Sequence, residues 1–202
     1  MGHVVKRAID ITVAAVVLLL AVPLLAVLAA VVRLSSPGPA LFRQVRVGRR
    51  GRPFRILKLR TMVTDAEARL RDDPELLDAY MANHFKLPPD VDPRLTAVGK
   101  LLRRTSLDEL PQLFNVLRGE MSLVGVRPVV PGELDLYGDA IVLYEHFKPG
   151  ITGYWQVQGR SGVAGADRIE LDRFYFENWN VWLDLKILVR TVPAVFRCSG
   201  AH

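Results

Sequence analysis

Two adjacent carboxylates, Asp108 and Glu109, have the residue types and spacing that suit chemistry on a phosphate ester. They follow a pair of arginines, Arg103 and Arg104. A carboxylate can attack phosphorus as a nucleophile, as in enzymes that form an aspartyl phosphate. A second carboxylate can help to bind Mg²⁺, which proteins usually hold through one or two carboxylates together with substrate phosphates. The pair is therefore the first candidate for a catalytic site.

A helix is predicted to carry these two acids at its N-terminus. Ser106 and Glu109 have the spacing of a capping box. Apolar residues then recur at helical spacing, at Leu107, Leu110, Phe114 and Leu117, and Gly119 is placed to end the helix. The dipole at a helix N-terminus favours an ionised carboxylate and the free N–H groups favour a phosphate. A structural interpretation stays open, because acids are ordinary in a first helical turn and Glu109 could simply cap the helix.

Two further segments contain residues suited to binding phosphate. Residues 122 to 126 have the pattern of a buried strand, and Arg127 follows it beside the rigid Pro128. The fork of an arginine side chain can bind two phosphate oxygens at once. The stretch 148–160 is rich in glycine, which allows a ligand to approach the backbone closely, and it contains a predicted strand. An ordinary loop is the alternative interpretation of that stretch.

Composition restricts the classes of protein to consider. The chain has 202 residues, half of them hydrophobic, a net charge of +6 and an isoelectric point near 9.8. This charge predicts an anionic partner: phosphates, a membrane surface or nucleic acid. The single cysteine, Cys198, excludes an intramolecular disulfide framework and a cysteine metal site. The four histidines are scattered and form no His-x-x-x-His metal pair.

The N-terminal segment is long and apolar enough to enter a membrane. Every residue from Ala14 to Val32 is apolar, and nineteen such residues are about enough to span a bilayer. A signal peptide, a spanning helix and a re-entrant helix that enters and leaves by the same face all fit this length. The run is long for a signal peptide, and the residues after it are strongly basic.

Two features favour the re-entrant interpretation over the spanning one, although charge alone leaves both open. Pro23 lies in the middle of the run, where it removes a backbone hydrogen bond and kinks a helix. Basic residues flank both ends, and no acid occurs between Asp10 and Asp65. Positive charge stays on the cytoplasmic side, so both ends would prefer that side. The predicted division is a membrane segment over residues 1–34 and a cytoplasmic-face domain over residues 35–202.

A β-hairpin with a basic face is predicted after the membrane segment. Residues 40–47 and 53–62 alternate between apolar and polar side chains, and residues 48–51 form the turn. A solvated strand face, or electrostatic attachment to anionic lipid, is the preferred interpretation of Arg46, Arg49 and Arg50. Helices are predicted over residues 131–147 and 167–196. The second is rich in aromatic side chains and fits either an amphipathic helix on the membrane or ordinary core packing. The fold class is thus α+β, with a membrane helix-hairpin, a small β-hairpin and helices that include interfacial ones.

Long motifs resemble those of the bacterial sugar transferases, the monotopic polyprenyl-phosphate phosphoglycosyl transferases. The resemblance rests mainly on two motifs, Thr-Ser-Leu-Asp-Glu-Leu-Pro-Gln-Leu from Thr105 and Asn-Val-Leu-Arg-Gly-Glu-Met-Ser-Leu-Val-Gly-Val-Arg-Pro from Asn115. It extends from about Lys6 to Phe196. It implies a helix-break-helix hairpin in the inner leaflet with a proline at the break. Three positions depart from the family pattern, with Val22 in place of Ser, Leu59 in place of Phe and Val126 in place of Pro.

The resemblance also implies an activity and roles for individual residues. The expected reaction is transfer of a sugar 1-phosphate from a UDP-sugar to undecaprenyl phosphate, which releases UMP and starts a polysaccharide such as an exopolysaccharide. Asp108 is the expected nucleophile, Glu109 assists, and both are expected Mg²⁺ ligands. Residues that match the family's substrate-binding pattern are Lys58, Arg60, Arg127, Pro128 and Arg160. The expected location is the cytoplasmic face of the bacterial inner membrane. The expected partners are the two substrates and membrane lipid, a homodimer is an open alternative, and no nucleic-acid partner is expected.

A membrane-tethered binding module is the rival from another class of protein. It would bind nucleic acid or anionic lipid through the basic hairpin, residues 43–60. No RNA- or DNA-binding motif supports it, and it leaves Asp108 and Glu109 without a role.

Overall fold

The computed structural model describes residues 1–83, 87–142, 146–159 and 165–196. The helices are α1 (Gly2–Ser35), α2 (Ala66–Asp72), α3 (Pro74–Ala82), α4 (Ala97–Thr105), α5 (Gln112–Arg118), α6 (Tyr154–Gly159), α7 (Gly165–Glu177) and α8 (Val181–Phe196). The strands are β1 (Leu41–Val47), β2 (Pro53–Leu59), β3 (Ser122–Val124) and β4 (Gly150–Thr152). Short 3-10 helices cover Leu107–Glu109 and Pro131–Val142. The mixed α and β composition agrees with the predicted fold class.

Two small sheets organise the strands. β1 and β2 form the predicted antiparallel hairpin, in which Phe42 lies opposite Lys58 and Val47 lies opposite Pro53. β3 and β4 pair in parallel, and β4 is the strand predicted inside the glycine-rich stretch. Gly125 and Gly150 face each other there so closely that a side chain on either would collide with the other's backbone.

The main hydrophobic core joins α1 to elements from the whole chain. Its buried side chains come from α1, β2, α5, β3 and the last two helices, and include Ala14, Leu18, Ile56, Val116, Met121, Tyr175 and Ile187. A second cluster of Val32, Leu59 and Leu102 packs the end of α1 against β2 and α4. The elements that carry Lys58 and Asp108 are therefore fixed against the apolar helix.

One stripe of α1 faces the rest of the protein along the helix's entire length. The shielded positions recur every three or four residues, at Lys6, Asp10, Ala14, Leu18, Ala21, Leu25, Leu28 and Val32. This is the helical repeat, and it continues without interruption past Pro23. The opposite face exposes large apolar side chains from Ile11 to Leu34. A helix with this arrangement lies along the domain, and its exposed apolar face is compatible with membrane association.

The predicted break at Pro23 is not confirmed. Residues 2–35 form a single helix of 34 residues with Pro23 inside it. By length and composition, α1 is the one helix among the described residues that is apolar enough to cross a membrane. The division of the chain into residues 1–34 and 35–202 stays a prediction.

Charged residues dock the first turns of α1 onto the domain. Lys6 donates to the backbone oxygen of Val124 at 2.9 Å and to Asp184 Oδ2 at 2.7 Å. Asp10 accepts hydrogen bonds from the Leu123 N–H and from Ser122 Oγ. Asp184 also accepts from Tyr175 Oη and Trp179 Nε1, so this buried carboxylate has three donors. The ion pair joins the first helix to the last one.

Removing one partner of this buried ion pair should destabilise the protein strongly. Asp184→Asn leaves the Lys6 ammonium buried without a charge partner, which typically costs about 3–5 kcal/mol. Thermal unfolding in detergent, measured for Asp184→Asn, Lys6→Met and the double variant, isolates the interaction energy. We expect the double variant to be less destabilised than the sum of the two single variants. Additive effects would show that the pair contributes nothing to the docking of α1.

Candidate active site

The end of β2 and the start of α4 form the frame of the site. The Thr96 N–H donates to the Thr61 backbone oxygen at 3.0 Å, which returns the chain to the end of β2. Thr96 Oγ1 then accepts from the Gly99 N–H at 2.9 Å and caps α4. A side chain at Gly99 would collide with the backbone of Thr61. The glycine therefore lets α4 pack directly on the strand end, which places the following turn beside Lys58.

The two acids lie on a 3-10 turn rather than at an α-helix N-terminus, so the predicted helix begins later than expected. Ser106 ends α4 in a left-handed conformation with φ of 58°, and its side chain makes no capping hydrogen bond to the turn. The predicted capping box with Glu109 is therefore wrong. Leu107–Glu109 forms the turn, and α5 begins only at Gln112 with Pro111 as its cap. The left-handed residue redirects the chain and points the acids toward the hairpin.

Asp108 is buried, with 5% of its surface exposed. Burial raises the pKa of its carboxyl group to about 6, and the nearby charge of Glu109 acts in the same direction, whereas Lys58 and Arg103 oppose the shift. The sequence predicted a helix dipole that stabilises the ionised form, and the burial works against that expectation. With a pKa of about 6 the group is still mostly ionised at pH 7 to 8. It is thus a poorly solvated carboxylate, which favours nucleophilic attack.

Glu109 makes an ion pair with Lys58, the strand residue predicted to bind substrate. Lys58 Nζ lies 2.8 Å from Glu109 Oε1, and both side chains are about one-third exposed. The pair brings a residue 51 positions away in sequence into contact with the carboxylate pair. The structure therefore brings together Asp108, Glu109 and Lys58, while their predicted roles stay predictions.

Arg103 and a buried ion pair support the turn from the other side. Arg103 Nε donates to Thr61 Oγ1 at 3.1 Å. Burial lowers the pKa of the Arg103 guanidinium, and the nearby charges of Asp108 and Asp92 oppose this shift. Asp92 and Arg94 form a bidentate pair with both contacts at 2.8 Å. Three charged residues thus fix the loop that precedes α4.

Arg127 and Pro128 lie in the loop after β3, next to the hairpin. The backbone oxygen of Pro128 accepts from Arg46 at 3.1 Å, and Arg46 also approaches Glu133 at 3.8 Å. Burial lowers the pKa of Arg46 to about 10, and the charge of Arg127 contributes to the lowering. The sequence predicted a solvated or lipid-attached strand face for Arg46. The structure instead packs its side chain, which is 13% exposed, between the hairpin and the loop that carries Arg127.

Asp172 is a buried acid that sequence reasoning missed. It lies on α7 one turn after Arg168, and neither of its carboxylate oxygens has a hydrogen-bond partner among the described residues. Burial raises the pKa of Asp172 to about 8, against the opposing charges of Arg168 and Arg127. Arg168 in turn lies over the ring of Trp155 at 5.6 Å. The only sequence signal was the four-residue spacing of Arg168 and Asp172 on one helix face.

Asp172→Asn should stabilise the protein increasingly as the pH rises. Because the folded pKa lies above the unfolded value of about 4, the wild type loses stability as the pH rises from about 4 to about 8, by at most about 1.4 kcal/mol per pH unit. Asparagine does not ionise, so the variant lacks this loss. Melting temperatures of both proteins in one detergent, compared from pH 5 to about 9, provide the measurement. A gap between the two proteins that shrinks as the pH rises would contradict it.

One of the predicted substrate-binding residues, Arg60, is not assembled with the carboxylates in the described structure. Arg60 is buried and donates to Ser36 Oγ, to the Pro39 oxygen and to the Ser36 oxygen at 2.6 to 2.9 Å. These contacts fix the turn that follows α1 and give Arg60 a structural role. Arg160 lies outside the described residues.

The donor set fits a divalent cation that is shared with a substrate diphosphate. Asp108 and Glu109 are adjacent carboxylates on one turn, and Lys58 occupies one oxygen of Glu109. In the described part of the chain, no group of three or more His, Cys, Asp or Glu side chains could hold a metal ion. Hard oxygen ligands from one or two carboxylates plus phosphates suit Mg²⁺. The two acids would thus hold the ion together with the substrate.

Comparison with known proteins identifies the family. The family model described as bacterial sugar transferase matches residues 1–198. The chain is 42% identical to the exopolysaccharide production protein ExoY of Rhizobium meliloti strain 1021, covering all of this chain and 89% of that protein. It is 45% identical to the undecaprenyl-phosphate galactose phosphotransferase of Salmonella typhimurium, covering 98% of this chain and 41% of that protein.

A third relative has a different sugar in its name. The chain is 43% identical to the UDP-glucose:undecaprenyl-phosphate glucose-1-phosphate transferase of Caulobacter vibrioides, covering 98% of this chain and 72% of that protein. The resemblance inferred from the motifs around Asp108 and Arg127 is confirmed. The protein belongs to the bacterial sugar transferase family.

Proposed function

We propose that the protein transfers a sugar 1-phosphate from a UDP-sugar to undecaprenyl phosphate, and so starts the synthesis of an exopolysaccharide or related glycan. The observation that carries the proposal is the buried Asp108 beside the Glu109–Lys58 pair at 2.8 Å. The named substrates of two relatives, undecaprenyl phosphate with galactose or glucose, support it.

The proposed reaction has two displacements at one phosphorus. An oxygen of Asp108 attacks the phosphorus that bears the sugar, a P–O bond to that oxygen forms, and the P–O bond to UMP breaks. UMP leaves with the bonding electrons. An oxygen of undecaprenyl phosphate then attacks the same phosphorus, and the carboxylate of Asp108 leaves. The product is a lipid-diphosphate sugar, and Asp108 is regenerated.

The surrounding side chains would stabilise negative charge in both steps. Lys58 lies beside Glu109 and its charge reaches Asp108, which supports a role in binding a phosphate oxygen of the donor. Arg127 would bind a second phosphate through its guanidinium fork. Bound Mg²⁺ would neutralise charge on the diphosphate and polarise its phosphoryl oxygens. The Glu109 side chain is about one-third exposed, and its carboxylate would also accept or deliver a proton.

A panel of nucleotide sugars tests the proposal. Each donor is mixed with undecaprenyl phosphate and the purified protein, and released UMP is measured. We expect continuous release with at least one UDP-hexose, and at most about one UMP per protein molecule when the polyprenyl phosphate is replaced by a polyprenol without phosphate. UMP release by none of the UDP-sugars, from a folded protein in a lipid environment, would refute the proposal.

We also propose that the protein is monotopic at the cytoplasmic face of the inner membrane. The continuous contact stripe of α1 supports this, because a helix held along a folded domain cannot project away from it across a bilayer. α8 adds exposed Trp182, Val189 and Val192 beside Lys186 and Arg190, which is the composition of an interfacial helix.

Both ends of α1 should be accessible from the cytoplasm only. In a Cys198→Ser background, single cysteines at Val4 and at Pro37 lie at exposed positions on either side of the apolar run. We expect an impermeant maleimide to label both in inverted membrane vesicles and neither in intact cells. A permeant maleimide provides the control that both thiols react. Labelling of one of them from outside intact cells would show a spanning helix instead.

A further inference from the structure

A cationic pocket lies at the turn end of the hairpin. Its volume is about 400 Å³, and it opens between the β1–β2 turn and the end of α5. Five basic residues line it, together with one acid: Arg49, Arg50, Arg52, Arg118, Lys148 and Glu120. We refer to this set as the hairpin pocket.

The hairpin pocket is separate from the proposed transfer site. Arg52 immediately precedes β2 and Lys58 lies six residues further along it. At about 3.3 Å per residue in a strand, the two positions are about 20 Å apart. A ligand in the hairpin pocket therefore does not occupy the space around Asp108 and Glu109.

The positive charge of the hairpin pocket is not neutralised from within. The single acid, Glu120, accepts a hydrogen bond from Asn115 Nδ2 at 2.7 Å. None of the five basic side chains forms an ion pair with another described residue. Burial lowers the pKa of Lys148, and the charges of Arg7, Arg49 and Lys6 lower it further, against the opposing effect of Asp10. The cations repel one another, and an anion in the pocket would relieve that repulsion.

The hairpin pocket adjoins the N-terminal end of the apolar helix. Arg7 donates to the backbone oxygens of Val116 and Leu117, which places the first turns of α1 beside the end of α5. Both Arg7 and Lys148 approach Gly119, a lining residue. The exposed apolar face of α1 extends past Arg7 on both sides, with Val4, Val5 and Ile11 within about one helical turn of it. If that face contacts lipid, the pocket lies close to the membrane surface.

We propose that the hairpin pocket binds a phosphate group, at a site distinct from the transfer site. The phosphate can come from the headgroup of an anionic phospholipid or from a free phosphate. Arginine suits it, because its planar fork binds two phosphate oxygens at once. Either source would supply an anion to the hairpin pocket, whose five basic side chains form no ion pair with another described residue.

The test compares two variants with equal loss of charge. The pocket variant is Arg52→Gln/Arg118→Gln, and the control is Arg71→Gln/Arg173→Gln, which removes two cations outside the pocket. Melting temperatures of the full chain in detergent are measured against phosphatidylglycerol, with phosphatidylcholine as the neutral lipid. In a second arm, inorganic phosphate is titrated at constant ionic strength. A ligand that binds the folded state raises the melting temperature, so binding is measured without the transfer reaction.

We expect the wild type and the control variant to be stabilised at the same ligand concentrations. Each basic residue contributes about fivefold to binding an anionic surface, so the pocket variant should need about thirtyfold more ligand. The single variant Arg52→Gln changes an exposed position and should need about fivefold more ligand than the wild type. It replaces the double variant in the test if the double variant does not fold. An effect in the lipid arm alone assigns the site to a headgroup, and an effect in the phosphate arm assigns it to a free phosphate. Equal behaviour of the pocket and control variants in both arms would overturn the proposal.

Discussion

Asp108→Asn should reduce the release of UMP by at least about a thousandfold. The asparagine keeps the shape of the side chain but removes the ionised oxygen that forms the bond to phosphorus, and loss of a nucleophile typically costs this much or more. The measurement is the initial rate of UMP release from the preferred UDP-sugar with undecaprenyl phosphate. Unchanged melting temperature or a small increase is expected, because the substitution removes a buried charge whose pKa is already raised.

A trapped intermediate distinguishes a nucleophile from a ligand or a positioning group. With donor alone, sugar phosphate carrying a label should remain on the denatured wild-type protein and map to the peptide that contains Asp108. Asp108→Asn should show no label, whereas Glu109→Gln should still become labelled, only more slowly. Initial rates should follow ping-pong kinetics. Kinetics of a ternary complex, with no label on the wild type, would mean that undecaprenyl phosphate attacks the donor directly.

Removal of divalent cations should abolish transfer and leave the fold intact. In the proposed complex the two carboxylates face the donor diphosphate, and without a cation these groups would repel one another. Excess EDTA should lower turnover by about a hundredfold or more, and added Mg²⁺ or Mn²⁺ should restore it. The melting temperature in EDTA serves as the control for folding. Full turnover in excess EDTA would show that the reaction does not need a divalent cation.

Glu109→Gln offers a matched test of where the cation is held. If Glu109 is a ligand, the variant should need more Mg²⁺ for half-maximal activity and should also turn over more slowly. The same substitution removes the charge partner of Lys58, so the Mg²⁺ requirement of Lys58→Met, which also lacks the ion pair, is measured beside it. An equal Mg²⁺ requirement in the wild type and Glu109→Gln would assign the cation to Asp108 and the substrate.

The sequence predicted the parts of the site that depend on local patterns. Alternation in residues 40–47 and 53–62 defines a hairpin because neighbouring side chains on a strand face opposite sides, and this gave the correct strands around Lys58. The motifs around Asp108 carried the family assignment, which the comparisons confirm.

Features that depend on distant contacts were not predictable from the sequence. Arg46, Arg49 and Arg50 look alike in the sequence, yet Arg46 is buried against residues that follow β3 while the other two line the hairpin pocket. Arg60 matches a family motif, but it bonds to the turn after α1. The left-handed backbone of Ser106 could not be foreseen, because a non-glycine residue adopts it only where the surrounding structure holds it.

The ion pair between Lys6 and Asp184 places a requirement on synthesis. The two residues are 178 positions apart, so at about 5 to 20 residues per second the ribosome needs roughly 10 to 40 s to make the second after the first. During that interval α1 has left the ribosome while β3 and α8, which carry the groups that hold Lys6 and Asp10, do not yet exist. The apolar helix must therefore meet lipid, or a protein that shields it, before the domain that finally holds it has folded. We therefore expect delivery to the membrane to precede completion of the chain, and a nascent chain truncated before Asp184 should already be membrane-bound.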